Sequence, residues 1–171
     1  IFVLENNQYA YSTPLDKQFA VPPIERASAY GVAGETVDGN DVEAVFEVVR
    51  AARERALAGG GPTLIEAVTM RMHGHAAHDD MRYVPREQLA AWARRDPIDR
   101  QARRLAALPD PVDVEALRAA VQAEIDAATE EALAAPMPDP ATATDGVFCE
   151  GEPEPLGDGR APWSGFARTE A

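Results

Sequence analysis

Hydrophobic and polar positions along the chain alternate between two periods. Residues 1–6, IFVLEN, are apolar without alternation, the pattern of a strand covered on both faces in a parallel sheet. Residues 7–23, NQYAYSTPLDKQFAVPP, are polar, aromatic and broken by proline, and predict a loop leaving that strand's C-terminal end. IERASAYG (24–31) predicts a short helix closed by Gly31, and GETVDGN (34–40) a short strand and turn. From Asn40 the period becomes helical: Val42, Val45, Phe46, Val49, Ala52, Ala56 and Leu57 recur at i, i+3, i+4 and i+7. Asn40 is placed as the N-cap, Glu43 completes a capping-box variant, and Gly59 to Gly61 end the run. PTLIEAVTM (62–70) is strand-like again and leads directly into MRMHGHAAHDD (70–80).

Strands alternating with helices predict an α/β fold with a parallel sheet and right-handed crossovers. In such sheets ligands gather at the carboxyl ends of the strands. The ENNQYAYST and HGHAAHDD loops both leave strand C-termini, so they belong on one edge of the sheet, where a shared site can form. The second half is helical. Pro85 and Pro97 suit first helical positions, with Asp96 as N-cap before the second, and a longer helix from Asp113 to Ala135 carries Val114, Leu117, Val121, Ile125 and Ala128 on one stripe. Beyond Pro136 the composition shifts: six of the 14 prolines fall in the last 36 residues, with seven acidic groups and two arginines. The expected organisation is therefore an α/β domain with trailing helices over 1–135 and an extended, Pro-rich acidic arm over 136–171, with Phe148, Trp163 and Phe166 as apolar anchors.

Composition narrows the classes. The 171 residues, 46% apolar, suffice for one core, yet the opening strand has nothing before it to pair with, which leads us to expect the C-terminal piece of a larger domain. A formal charge of −13 argues against nucleic acid and anionic membrane surfaces as partners. Cys149 stands alone, which excludes a disulfide framework and a Cys-based zinc knuckle and fits a reducing cytoplasm.

All three histidines, His73, His75 and His78, lie within six residues and precede Asp79 and Asp80. As metal ligands they come close to the H-x-H-x-D-H run of metallo-β-lactamase-like hydrolases, which would make a zinc hydrolase using Asp79 or Asp80. Ala77 stands where that family carries its aspartate, and the chain has no further histidine downstream. Taken alone the stretch also reads as a solvated polar loop. In ENNQYAYSTP, ordinary turn chemistry competes with another use: an Asn side-chain oxygen and a nearby backbone carbonyl at a strand end are hard donors suited to Mg²⁺.

The segments IFVLENNQYAYSTP, GVAGETVDGNDVEAVFEVVRAARERALAGGGPTLIEAVTMRMHGH and DPIDR resemble the α subunit of the thiamine diphosphate-dependent 2-oxo acid dehydrogenase E1 component, the pyruvate, branched-chain and acetoin group. The likeness runs from Ile1 to about Arg100 and more loosely to Phe148; the ordered set V-D-G-N-D-V, G-P-T-L-I-E, H-G-H and D-P-I carries it. It implies the C-terminal part of a thiamine diphosphate-binding fold. The family's cofactor motif opens with Gly-Asp-Gly and closes with Asn-Asn. The close would be here, with Asn7 giving a side-chain oxygen and Tyr9 its backbone carbonyl to Mg²⁺, and the opening aspartate would precede Ile1. The Gly157–Gly159 tripeptide, some 150 residues after the Asn-Asn pair, reads as a turn in the acidic tail and not as that opening.

The resemblance further implies that Tyr11 stands beside the cofactor where several members carry Ile. His75 would approach the diphosphate and serve acyl transfer, and Arg71 would order the loop or steer a lipoyl domain. Asp79 and Asp80 would fix the loop locally, in part through Arg82, while His73 and His78 stay loop residues. Ala76 replaces the phosphorylatable serine of mitochondrial members, and no Ser or Thr occurs between Met70 and Gln88, which fits a bacterial-type enzyme. The implied activity is oxidative decarboxylation of a 2-oxo acid with acyl transfer to a lipoyl group on an E2 acyltransferase, by an α₂β₂ heterotetramer with an E1 β subunit. A non-catalytic module whose residues 85–135 bind a partner helix is the other reading.

Overall fold

A computed structural model describes residues 1–147 and 151. Phe148, Cys149, Gly157–Gly159, Trp163 and Phe166 lie outside the described residues. In chain order the elements are β1 (Phe2–Asn6), β2 (Tyr9–Ala10), β3 (Thr13–Pro14), α1 (Arg26–Ala29), β4 (Ala33–Asp38), α2 (Val42–Leu57), β5 (Thr63–Val68), α3 (Arg86–Ala93), α4 (Pro97–Ala106) and α5 (Val114–Ala134). Two compact units divide them, one over Ile1–Arg104 and one beginning at Leu105.

β1, β5 and β4 form a parallel sheet in that order, with β5 in the middle. Asn6 pairs with Val68 on one side and Asp38 pairs with Val68 on the other, so all three strands end level. The expected α/β architecture is therefore present, and so is the shared edge. Side chains alternate along β5: Ile65, only 1% exposed, packs with Val37 of β4 and Ala52 of α2, while Ala44, Val45, Val48, Val49 and Ala67 close around them. The neighbouring residue Glu66 reaches Ile24 and Asn6 instead.

Several sequence expectations change in detail. The opening strand, expected to be covered on both faces, has Phe2 and Val3 62% and 63% exposed, because β1 is the edge of this sheet and no described layer covers them. IERASAYG splits into a 3-10 turn, Pro23–Glu25, and the four-residue α1. Gly31 (φ +65°) does close it, left-handed as Gly permits. The loop after β1 folds back as the β2–β3 hairpin. The cap of α2 is Asp41, not Asn40: the helix starts at Val42, and the Asp41 carboxylate accepts from the Ala44 N–H at 3.2 Å. Asn40 turns instead to the Arg95 carbonyl (2.8 Å) and the Thr69 hydroxyl. Of the apolar stripe on α2, Val45, Val49 and Ala52 meet the sheet, while Val42, Phe46 and Leu57 are exposed, since a single sheet face covers only a narrow arc of a helix.

A charged latch joins α4 to the ends of β4 and α2. Asp38 is held by Arg100 (2.8 Å) and Arg95 (3.1 Å). Asp41 takes Arg104 through two nitrogens (2.6 and 2.8 Å) as well as Arg100. Forked guanidinium–carboxylate pairing of this kind is stronger and more directional than a single ion contact. Desolvation pushes the Asp38 carboxyl up, but hydrogen bonds from Arg100, the Asn40 N–H and Arg95 outweigh it and leave it lowered. The Arg104 hydrogen bonds hold the Asp41 carboxyl far below the ordinary carboxylate range, against the desolvation that opposes them.

In the second unit α5 begins at an Asp113 cap (2.9 Å to the Ala116 N–H), and Leu117, Val121 and Ile125 are about half exposed. Of the arm expected to be extended, the described stretch 136–147 makes a 3-10 turn over Pro140–Thr142, capped by Asp139, followed by turns through Val147.

Two outcomes follow from this packing. Ile65→Ala should destabilise the protein by roughly 2–5 kcal/mol, read from chemical denaturation, because it leaves a cavity against Val37 and Ala52. Asp41→Asn keeps a capping oxygen but discards the ion pairs. Because the folded Asp41 pKa is depressed, its contribution is present above the ordinary value of 3.8 and is lost as pH falls. The variant should melt lower than wild type at pH 7, with the gap closing below pH 3.8 in thermal scans.

Candidate functional site

The level strand ends place two loops side by side, and backbone bonds zip them together. The Thr69 N–H donates to the Asn6 carbonyl (2.9 Å) and the Arg71 N–H to the Asn7 carbonyl (3.2 Å). The histidine loop is thus anchored against the Asn-Asn turn before any side chain is considered.

The Asn-Asn turn is built from two successive Asx turns, in which an Asn oxygen accepts from the N–H two residues on. Asn6 Oδ1 accepts from Gln8 (3.2 Å) and Asn7 Oδ1 from Tyr9 (3.2 Å). Gln8 takes φ +73° and Tyr11 φ +50°, left-handed values uncommon for such residues. Tyr11 occupies the two-residue connection of the β2–β3 hairpin, where positive φ matches the twist of the strands. This puts the Tyr11 ring edge-on to His75, centroids 5.0 Å apart, and stacked on Tyr83 at 6.2 Å. Tyr9 is tilted against Tyr83 as well (5.8 Å) and donates its hydroxyl to Gln88 (3.0 Å).

Arg71 ties these groups together. Its guanidinium donates to the Tyr11 carbonyl (2.6 Å) and the Tyr83 hydroxyl (2.8 Å), and Nη1 stands 3.2 Å from His75 Nδ1. Arginine has no acceptor, so Nδ1 is the acceptor in this contact and a neutral His75 carries its proton on Nε2. The Arg71 Nε is buried with no hydrogen-bond partner.

Asp79 organises the histidine loop: it accepts from the Tyr83 hydroxyl (2.6 Å), the His75 N–H (2.7 Å) and the Met81 N–H (3.0 Å). The Tyr83 hydrogen bond first, then the two backbone N–H groups, hold its carboxyl at about 2. Burial, with the hydrogen bond to Asp79, raises the Tyr83 hydroxyl in turn. Gly74 is required here because a Cβ would collide with the Asp79 carbonyl oxygen. Asp80 pairs with Arg82 at 2.7 Å, so both aspartates fix the loop as expected.

The three imidazoles do not converge. All three histidines are exposed, and among the described residues no group of three or more His, Cys, Asp or Glu side chains could hold a metal. The zinc-hydrolase reading therefore has no geometric support. Asn7, Tyr9, Tyr11 and His75 do come together around Arg71 and Tyr83. The donor set is of the kind that suits a hard ion and an anion: Asn7 Oδ1, accepting one hydrogen bond, keeps a second lone pair, backbone carbonyls of the turn are hard oxygen donors, and the buried Arg71 Nε is a cationic donor without a hydrogen-bond partner. Beside the turn lies a cleft of about 530 Å³ lined by Gln8, Tyr9, Leu15, Phe19, Glu66 and Gln88, among others.

Sequence reasoning missed Tyr83, Asn6 and Glu66. Tyr83 is the only aromatic residue between Tyr30 and Trp92 apart from Phe46, four residues past Asp79, which was an available signal. Nothing local marks Glu66 as Asn6's partner, since 60 residues separate them.

Comparison with known proteins gives a consistent picture. The family model described as dehydrogenase E1 component matches residues 1–141, a span holding every site residue above. The chain is 39% identical over 155 residues to the 2-oxoisovalerate dehydrogenase subunit alpha of Bacillus subtilis, covering 88% of this chain and 47% of that protein. It is 49% identical over 102 residues to the 3-methyl-2-oxobutanoate dehydrogenase subunit alpha of Mycobacterium tuberculosis, covering 58% and 28%. It is 46% identical over 103 residues to the pyruvate dehydrogenase E1 component subunit alpha of Staphylococcus aureus, again covering 58% and 28%. The chain thus spans about half, or less, of the length of these relatives.

Tyr83→Phe removes the strongest hydrogen bond on Asp79 and one acceptor from Arg71. The Asp79 carboxyl should move up from about 2 toward 3.8, measured by carboxyl chemical shift against pH, and trypsin should cut faster after Arg82. Because the folded value is depressed, the contribution of Asp79 is complete above pH 3.8 and fades as pH falls to 2; in the variant it is smaller and is gone at a higher pH.

Proposed function

The chain belongs to the dehydrogenase E1 component family, and on that footing we propose that it is part of the α subunit of a 2-oxo acid dehydrogenase E1 enzyme. The proposed reaction is oxidative decarboxylation of a 2-oxo acid with transfer of the acyl group to a lipoyl group on an E2 acyltransferase. The observation that carries the reading is the cluster at the level strand ends, where Asn7, Tyr11 and His75 meet around Arg71 within the span matched by the family. The relatives' names support both branched-chain and pyruvate substrates, so the substrate is left at the level of a 2-oxo acid.

Bound thiamine diphosphate supplies the electron sink for decarboxylation. The residues of this chain hold and complement it. Asn7 Oδ1 and the Tyr9 carbonyl would be the Mg²⁺ ligands, hard oxygens of the kind that ion takes. His75, with Nδ1 occupied by Arg71, would have its Nε2–H left to donate a hydrogen bond toward a diphosphate oxygen or the carbonyl oxygen of a transferring acyl group. Arg71 adds fixed positive charge and orients that ring. Tyr11, beside His75, walls the cofactor pocket in the place where several family members carry an aliphatic side chain.

An E1 β subunit, an α₂β₂ assembly and a lipoyl domain are the proposed partners, and a cytoplasmic site of action is proposed with them. No helix among the described residues is long and apolar enough to cross a membrane. Ala76 follows His75, so control by phosphorylation at that position is not part of the proposal.

Two variants of the full-length α subunit, assembled with its β subunit, test the reading. His75→Ala should reduce lipoyl acylation by ~10²-fold or more, while decarboxylation assayed with an artificial electron acceptor falls much less. Asn7→Ala should weaken Mg²⁺-dependent cofactor binding. Unaltered rates and unaltered Mg²⁺ dependence in both would refute the assignment.

A further inference from the structure

Glu66 sits in the middle of the central strand and is 3% exposed. An enclosed carboxylate is costly to desolvate and persists only with its oxygens hydrogen-bonded. Here each oxygen has its own donor: the Asn6 side-chain amide reaches Oε1 at 2.6 Å, and the Ile24 backbone N–H reaches Oε2 at 3.2 Å. Glu66 contacts neither Asn7 nor Tyr9 through any hydrogen bond, and nothing in the proposed chemistry uses it.

Its consequence lies one bond further on. Donating Nδ2 to Glu66 fixes which way the Asn6 amide points, because an amide flipped by 180° would turn its carbonyl oxygen on the carboxylate. Asn6 Oδ1 is thereby aimed at Gln8 and accepts from both its backbone N–H (3.2 Å) and its side-chain amide (3.3 Å). These bonds hold Gln8 at φ +73°, a value that ordinarily costs a non-Gly residue stability. The turn at Gln8 is what lets Asn7 repeat the motif onto the Tyr9 N–H. Two hydrogen-bonded steps, Glu66 to Asn6 and Asn6 to Gln8, and then the backbone of the turn connect the buried carboxylate to the two oxygens assigned to Mg²⁺.

We propose that Glu66 is a positioning residue for the metal: acting through Asn6 and the left-handed Gln8, it sets where Asn7 Oδ1 and the Tyr9 carbonyl stand, and so the affinity for Mg²⁺. The proposal rests on the assignment of Asn7 and Tyr9 made above. It also explains why a carboxylate occupies the position. Both neighbours of Glu66 are donors, and glutamine has only one acceptor oxygen, so a glutamine must turn its NH₂ on one of them. If it faces Asn6, that amide flips and presents N–H groups to the Gln8 N–H, and the turn loses its acceptor. If it faces Ile24, the 3-10 segment Pro23–Glu25 is pushed from the turn's flank.

The test uses the full-length enzyme assembled with its β subunit and stripped of metal, titrated with Mg²⁺ by calorimetry at a fixed excess of thiamine diphosphate, with the thermal midpoint recorded for each variant. Glu66→Gln should bind Mg²⁺ about tenfold more weakly, the scale seen when groups behind metal ligands are altered, whereas Ile65→Ala should stay within about twofold while melting lower. Ile65 is next along the same strand but faces the opposite side, so it controls for general destabilisation. Should Glu66→Gln not assemble, Asn6→Ser serves: it removes the amide bond to Glu66, leaves the Ile24 contact, and should show the same loss. Mg²⁺ affinity unchanged in the Glu66 or Asn6 variant, or lowered equally by Ile65→Ala, overturns the proposal. Asn7→Ala separates the two claims. If it leaves Mg²⁺ affinity intact, the assignment of Asn7 itself fails; if it lowers the affinity while Glu66→Gln does not, only the positioning role of Glu66 fails.

Discussion

The parallel pairing of β5 with β1 on one side and β4 on the other is the constraint from which the rest follows. Strands that end level deliver their outgoing loops to one edge, and here Asn6, Val68 and Asp38 are in register. A one-residue slip in either pairing would reverse the faces of the side chains on that strand. Ile65 and Glu66 show how much depends on this: one belongs to the apolar cluster under α2, the other to the hydrogen-bonded set beneath the Asn-Asn turn. Exchanging their faces would bury a carboxylate among Val37 and Ala52 and leave Asn6 without its partner.

Two kinds of stabilisation act on the two faces. Beneath α2 the sheet is held by ordinary apolar burial, whose strength scales with the area removed from water. At the strand ends polar groups dominate. Asp38 and Asp41 with three arginines fasten α4 over that edge, and Asp79 and Arg71 hold the histidine loop. Directional bonds of this sort add less net stability than their number suggests, but they specify one arrangement, which a site needs more than it needs stability.

The histidine loop illustrates the division of labour. The His75 side chain is exposed, yet its position is set by its neighbours: the Asp79 carboxylate on its backbone, Arg71 on Nδ1 and the Tyr11 ring at its edge. His73 and His78, equally exposed and as close in sequence, lack this set of contacts among the hydrogen bonds described. Proximity along the chain made the three histidines look like one site, but among the described residues only His75 joins this network.

Much of the architecture could be read from the chain because its causes are local. The helical period placed α2, the Gly59–Gly61 run ended it, Asp96 and Asp113 marked the starts of α4 and α5, and unalternating apolar runs marked β1 and β5. The alternation of element types was enough for a parallel sheet, and hence for two loops on one edge carrying Asn7, Tyr9, Tyr11 and His75. Where a choice depended on distant residues, the sequence could not make it. Asn40 and Asp41 are both good caps by residue type; Asp41 caps because Arg100 and Arg104, some 60 residues on, hold its carboxylate at the helix start, while the Arg95 carbonyl draws Asn40 away. Phe46 fits the helical stripe but lies outside the arc that the sheet covers. Glu66 looks like any polar residue in a strand until folding sets it against Asn6, because a hydrogen bond spanning 60 residues leaves no periodic trace. Local propensity and pattern thus determined which elements form and which chemistry they carry. Only tertiary structure decided the orientation of each polar group, since that is fixed by partners that the chain brings close in space and not in sequence.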